Sequence, residues 1–236
     1  MSNRFVALLD SCLTIAQNGL RQPCLLCGAG TQDSLLCGAC VKDLPLLPLP
    51  LCPRCALPSG DGSICGNCLR HPPAFDRTVA VFDYRFPLDA LVRHCKYGGN
   101  LAVTQLFSDG LEKRLETVSD QPDVLIPMPL HPARLRERGF NQAVEIGRRL
   151  ARRLKIEWLP EACARVRDTP PQAGLDLKAR HRNLRGAFAC NADLKDRRIA
   201  LLDDVMTSGA SLDELARTVK RAGAGEVSAW VVARTL

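Results

Sequence analysis

Residues 199–211 read IALLDDVMTSGAS, and the order of residue types in this stretch decides the architecture. Four apolar residues, Ile199 to Leu202, suit a short strand buried on both faces. Two adjacent acids follow, Asp203 and Asp204, and beyond Val205 and Met206 stand Thr207, Ser208, Gly209, Ala210 and Ser211 at the head of a helical pattern. Each part has a chemical use. Backbone amides from Thr207 to Ser211, at a helix N-terminus, can cradle a monophosphate. The hydroxyls of Thr207, Ser208 and Ser211 add donors, and Gly209 lets the backbone approach closely. Asp203 and Asp204 are placed to accept from the 2′ and 3′ hydroxyls of a ribose, or to hold magnesium through water. An acidic turn ahead of a capped helix needs one such residue, not the whole ordered set.

Strands and helices alternate on either side of this stretch. Residues 78–84 (TVAVFDY), 123–127 (DVLIP), 198–202 and 227–233 read as strands, and 88–96, 102–115, 142–154 and 211–221 as helices. Apolar strands alternating with helices predict an α/β fold, a mainly parallel sheet covered on both faces. Trp158 and Trp230 are expected in its core.

Before residue 70 the composition is different. Eight of the twelve cysteines lie between Cys24 and Cys68, as Cys24-x2-Cys27, x9, Cys37-x2-Cys40, x11, Cys52-x2-Cys55, x9, Cys65-x2-Cys68. The second half repeats the first. Two thiolates two residues apart reach one metal from a tight turn, and two such knuckles complete a tetrahedral site. The spacing predicts two zinc ribbons in series, Cys24/Cys27/Cys37/Cys40 and Cys52/Cys55/Cys65/Cys68, with a cross-braced pairing of alternate knuckles as the other arrangement it allows. All ligands are thiolates and no position is left open, so the zinc is structural. A segment this poor in aromatics buries little core, and zinc binding, on the order of 10–16 kcal/mol per site in small fingers, supplies the missing stability. Cys12, Cys95, Cys163 and Cys190 stand alone and read as ordinary thiols.

The 236 residues are 46% hydrophobic, enough for a packed core, and carry a net charge of +7 that favours an anionic partner. No run is long and apolar enough for a membrane span. Residues 1–17 lack a leader pattern, and Phe5, Leu8, Leu9, Cys12, Leu13 and Ala16 fall at helical spacing. A cytoplasmic location is expected, where clustered cysteines serve metals rather than disulfides. The organisation expected is an N-terminal helix (1–20), a cysteine module (21–72) and an α/β domain (73–236).

The 199–211 stretch resembles the signature of type I phosphoribosyltransferases: four hydrophobics, two acids, a hydrophobic, any residue, Thr, a small residue, Gly. Across nearly the whole chain the sequence is similar to the ComF/GntX family. The likeness is carried by the paired knuckles, Pro72-Pro73, Lys96-Tyr97, Pro127 to Leu130, Arg136 to Gln142, Pro171-Gln172, Asn183 to Phe188, the Asp203-to-Ser211 turn and the terminal Arg234-Thr235-Leu236. Met206 and Ser208 stand where Val and Thr are frequent, and neither swap removes a backbone donor. The resemblance implies a double zinc ribbon joined to a type I phosphoribosyltransferase domain that binds phosphoribosyl pyrophosphate with magnesium. Some members of the family are needed for uptake of transforming DNA.

That ligand carries more charge than one turn can hold. A second anion site is expected after the strand 123–127, at Arg134, Arg136, Arg138 and Asn141, where the resemblance puts the pyrophosphate loop; guanidinium groups bind phosphate oxygens in pairs. Lys96 and Tyr97, ahead of two glycines, are candidate ligand contacts. The polar stretch 165–185, with Arg180 and Arg185, matches the loop that closes over substrate in the enzymes resembled. Arg148, Arg149, Arg152 and Arg153 form either a solvated basic face or a track for single-stranded DNA, although 5% aromatic content argues against recognition by base stacking. Two functions stay open: transfer of phosphoribosyl to an unidentified acceptor with loss of pyrophosphate, or a non-catalytic ligand sensor or DNA-handling factor in DNA uptake.

Overall fold

The computed structural model describes residues 22–31, 34–118, 121–168 and 183–236. The expected N-terminal helix, Cys12 and Arg180 lie outside these. The chain divides into two compact units, Met1–Leu44 and Pro45–Leu236.

In the first unit, β1 (Gln22–Pro23) pairs antiparallel with β2 (Gly30–Thr31), and α1 (Gly38–Lys42) follows. The first knuckle turns tightly: Cys24 N–H donates to Ala29 O at 2.7 Å and Gly28 N–H to Cys24 O at 2.9 Å. Cys37 is the N-cap of α1 and Cys40 lies within it. The second unit opens with the same device. Cys52 N–H donates to Leu57 O and Ala56 N–H to Cys52 O, and Cys65 caps α2 (Gly66–Arg70).

The rest of the second unit is built on one five-stranded sheet. Its strands are β3 (Arg77–Asp83), β4 (Val124–Pro127), β5 (Glu157–Trp158), β8 (Arg198–Met206) and β9 (Glu226–Arg234), in the order β3-β9-β8-β4-β5. Every neighbouring pair is parallel. Successive side chains of a strand face opposite ways, and Ile199, Ala200, Leu201 and Leu202 are all buried. Both faces of the sheet are therefore covered, as the unbroken apolar run implies.

The covering helices are α3 (Leu88–Gly98), α4 (Ala102–Leu115), α6 (Gln142–Leu154) and α7 (Ala210–Arg221), with a short α5 (Pro132–Arg138) between β4 and α6. α4 and α6 pack on each other and on the sheet, and α7 packs on β8 and β9. Ser108 Oγ, buried where α4 meets α6, donates to Ile146 O at 3.1 Å. Gly147 lies under Trp158: a Cβ there would come within 2.5 Å of the indole. Trp230 is buried in β9 and Trp158 is half-buried. A separate antiparallel pair, β6 (Cys163–Arg165) and β7 (Phe188–Cys190), flanks residues 169–182.

Three local expectations change. β8 runs to Met206 rather than stopping at Leu202, because β9 continues beside it and pairs Val205 with Ala233 and Met206 with Arg234. The acids therefore lie inside the strand. The arginine-rich segment after β4 is a helix, α5, not a turn. Cys163 and Cys190 do not stand alone but are directly opposite in the β6–β7 register.

Candidate functional site

The site grows from the carboxyl end of β8. Asp203 and Asp204 point to opposite faces, as consecutive strand residues must. Asp204 is 7% exposed and meets Lys96, whose Nζ lies 3.0 Å from Oδ1 and 2.8 Å from Oδ2. Lys96 comes from the last turn of α3, which stops at Gly99 in the left-handed conformation. Burial alone would lower the lysine pKa, but the Asp204 carboxylate outweighs it and holds the ammonium charge. Asp203 is half-buried, and its Oδ1 accepts from the Asp204 amide at 2.8 Å. Burial, then the charge of Asp204, pushes the Asp203 carboxyl up to about 7. The two acids are thus unlike: one is locked in an ion pair, the other keeps its proton near neutrality.

Beyond Met206 the chain turns through Thr207 and Ser208 to Gly209, the N-cap of α7 at φ 81°. That left-handed conformation favours glycine, and a Cβ would stand 2.7 Å from Met206 Cε. The turn from Asp203 to Leu212 encloses a small cleft of about 30 Å³. Thr207 is exposed at its rim, and Ser208 and Ser211 are half-buried. The first amides of α7 have no partner in the helix itself, so hydroxyls and amides converge on one end of it.

A larger cleft, about 400 Å³, lies among Lys96, Tyr97, Arg134, Arg138 and Phe140. Two of the expected arginines are here because they are four residues apart on α5 and share a face. Arg136 falls between them and is exposed elsewhere. The Arg138 guanidinium sits 5.9 Å from the centroid of the Tyr97 ring and donates to Gln142 Oε1 at 2.9 Å. Asn141 serves the backbone instead. It caps α6, accepting from Ala143 N–H at 3.0 Å, while its Nδ2 donates to Met128 O at 3.0 Å. Arg185 is exposed, past the end of the undescribed stretch.

Two further arginines reach this region, and neither had a role assigned from the sequence. Arg165, half-buried in β6, lies 5.8 Å from the Phe188 ring. Burial pulls its guanidinium down from the ordinary value, and the Asp203 charge opposes that most. Arg234, last in β9, is 5% exposed and donates to the carbonyls of Met206 and Thr207 at the start of the turn. Nothing in the local sequence of either residue shows where its side chain ends.

The cysteines form two closed sets, Cys24/Cys27/Cys37/Cys40 and Cys52/Cys55/Cys65/Cys68, with all sulfurs of a set within 4.8 Å of one another. The sets are sequential, not cross-braced. Burial pushes the Cys24 thiol up, but the amides of Cys27, Cys37 and Leu26 prevail and bring it to about 6. The amides of Cys65, Cys55 and Arg54 do the same for Cys52, at about 7. A thiolate ready at neutral pH and three sulfurs around it fit tetrahedral zinc.

Residues 20–69 match the double zinc ribbon domain family. The chain is 36% identical over 192 residues to DNA utilization protein YhgH of Escherichia coli O157:H7, covering 79% of this chain and 85% of that protein. It is 32% identical over 231 residues to competence protein F of Haemophilus influenzae, covering 94% and 93%. The chain belongs to the ComF/GntX family. Among solved structures, adenine phosphoribosyltransferase from Saccharomyces cerevisiae overlays 58% of this chain on 71% of that one, at 15% identity and a TM-score of 0.39. As a ComF/GntX protein the chain combines a double zinc ribbon with a parallel α/β sheet, and no helix among the described residues is long and apolar enough to cross a membrane.

Proposed function

We propose that the chain binds phosphoribosyl pyrophosphate at the end of β8 and transfers its phosphoribosyl group to an acceptor, releasing pyrophosphate. The observation that carries this is the continuous path from two unlike acids to a glycine-capped helix start. The turn 207–211 takes the 5′-phosphate on its amides and hydroxyls. Asp203 and Asp204 take the ribose hydroxyls. Lys96, Arg134 and Arg138, which gather in the larger cleft, meet the pyrophosphate.

In the transfer, a lone pair of the acceptor forms a bond to C1′ as the C1′–oxygen bond breaks. The electron pair of that bond leaves on pyrophosphate, C1′ inverts, and the acceptor's displaced proton passes to solvent. Lys96 and the two arginines stabilise the growing charge on the leaving oxygens. Asp203 and Asp204 are hard oxygen donors that would hold magnesium, whose positive charge would offset the negative charge of the leaving pyrophosphate. Separation of the phosphate turn from the basic cleft lets one ligand be held at both ends with its reacting carbon between.

Titration calorimetry with phosphoribosyl pyrophosphate and magnesium tests the site. Asp203→Asn with Asp204→Asn is expected to weaken binding by about 100-fold, since two carboxyl partners of the ribose hydroxyls are removed. Unchanged affinity in that double variant overturns the assignment. Pyrophosphate release with a panel of bases and amines then tests turnover.

The relatives named for DNA utilization and competence favour a second reading, a sensor or single-stranded-DNA-handling factor in DNA uptake. Arg148 and Arg152 of α6 are exposed. Against a continuous track, Arg148 pairs with Glu145, and Arg153 with Asp109 and Glu112. Oligonucleotide affinity falling steeply with salt would support this reading; absence of binding at low salt would remove it.

A further inference from the structure

We infer that Arg234 is a positioning residue that sets the phosphate turn and links it to the metal in the second cysteine set. The inference rests on the reading of residues 207–211 as that turn. Arg234 Nε donates to the carbonyl of Cys55, a ligand of the second set, at 2.9 Å. The same guanidinium donates through NH1 to Met206 O at 3.0 Å, to Thr207 O, and to Thr235 O at 2.8 Å. One rigid, planar fork therefore holds a zinc knuckle on one side and the turn on the other.

The consequence for the turn follows from peptide geometry. In a trans peptide the C=O of one residue and the N–H of the next point in opposite directions. With the Met206 and Thr207 carbonyls drawn to Arg234, the amides of Thr207 and Ser208 are turned away from it. Those are amides the turn would offer an anion. Were either plane to flip, a carbonyl oxygen would face the phosphate instead.

Charge explains why an arginine can be buried here. The side chain has carbonyl partners at Nε and NH1, which bring no full negative charge. Burial pulls the guanidinium down from its ordinary value, and the sulfurs of Cys55, Cys68 and Cys65 are the neighbours that oppose this. Zinc with four thiolates carries two net negative charges, so the metal centre and the guanidinium suit each other. Metal loss would loosen the Cys55 knuckle and, with it, the anchor of the fork. By reciprocity, an anion that tightens the turn must also tighten the metal site. The first cysteine set belongs to the other compact unit.

Zinc release to a chromogenic chelator measures the link in the full chain carrying Cys24→Ser and Cys27→Ser, so that only the second set releases metal. Saturating phosphoribosyl pyrophosphate with magnesium is expected to slow release by about fivefold or more. Arg234→Lys keeps the charge but cannot span both sides; with zinc content unchanged, it should lose that protection and bind the ligand about tenfold or more weakly. Ligand that binds without slowing release, or an Arg234→Lys protein that binds as the parent does, overturns the inference. Hydrogen exchange at the Thr207 and Ser208 amides separates this from failure of the ligand reading. If the parent binds no ligand, faster exchange in Arg234→Lys and after zinc removal retains the link between metal and turn, and unchanged exchange ends it. Should Arg234→Lys not fold, release from the parent with and without ligand still decides.

Discussion

Lys96 and Asp204 neutralise each other where either alone would be costly: the lysine side chain is 22% exposed and the aspartate side chain 10%. Removing one partner of such a pair leaves the other charged and poorly solvated. Lys96→Met should therefore cost about 2–3 kcal/mol in denaturant unfolding, the lower side of what a buried pair loses because the lysine retains some water. Asp204→Asn with Lys96→Met should cost less than the sum of the single changes. Asp203 gives a prediction in pH. Its carboxyl ionises near 4 when unfolded but at about 7 when folded. Between those values the folded protein holds the extra proton, so stability falls as pH rises and levels off above 7. Asp203→Asn removes the effect, and the variant should gain about 1 kcal/mol on the parent between pH 6 and pH 8, by paired unfolding curves without magnesium. The acids were legible because they are adjacent and end an apolar run. Arg234 stood within the family likeness, but its partners and those of Arg165 were not legible, since a long side chain in a strand shows nothing of them in sequence.

At the scale of elements, helices 102–115 and 142–154 are found where apolar periodicity predicts them, because amphipathic faces buried against a sheet repeat every three or four residues. β8 was harder. Its last four residues, DDVM, look like the start of a loop, and only the continuing β9 keeps them in the sheet. α5 had its signals, Pro132 at the first position and Gly139 just past the end at φ 82°, but a run of arginines without apolar periodicity hid it. That helix sorts the expected arginines by face: Arg134 and Arg138 line the cleft and Arg136 does not. Arg136→Ala should therefore leave phosphoribosyl pyrophosphate affinity within about twofold. Arg138→Ala should lower it about tenfold, because a charge-assisted hydrogen bond to the ligand disappears. Gly209 carries the other element-level prediction. Ala there must hold φ near +81° and displace Met206. A cost of about 1–2 kcal/mol is expected, together with weaker ligand binding, both from one titration and one melting series.

At the scale of the whole molecule, two cysteine sets with the same spacing belong to different compact units. The repeat in spacing marks both as fit for zinc, but spacing holds no information about what each is attached to. The second set is bound into the α/β unit by backbone bonds: Thr78 N–H donates to Pro53 O at 2.9 Å, Thr78 Oγ1 to Arg54 O at 2.6 Å, and Arg234 to Cys55 O. Thr78 and Arg234 stand in β3 and β9, so the knuckle is fastened to two neighbouring strands. Loss of its metal releases three bonds, each worth about 1 kcal/mol net, and leaves a buried guanidinium with fewer partners. Cys52→Ser with Cys55→Ser should accordingly lower the melting temperature of the α/β unit by about 10 °C or more, at a few degrees per kcal/mol. Cys24→Ser with Cys27→Ser should move that transition by about 2 °C or less, although one zinc per chain is lost in either protein. Near-ultraviolet circular dichroism at Trp158 and Trp230, both in the α/β unit, follows its melting alone, and zinc content is read on the same samples. Equal shifts in the two variants would mean that the cysteine sets share one stability, contrary to the division of the chain at Leu44.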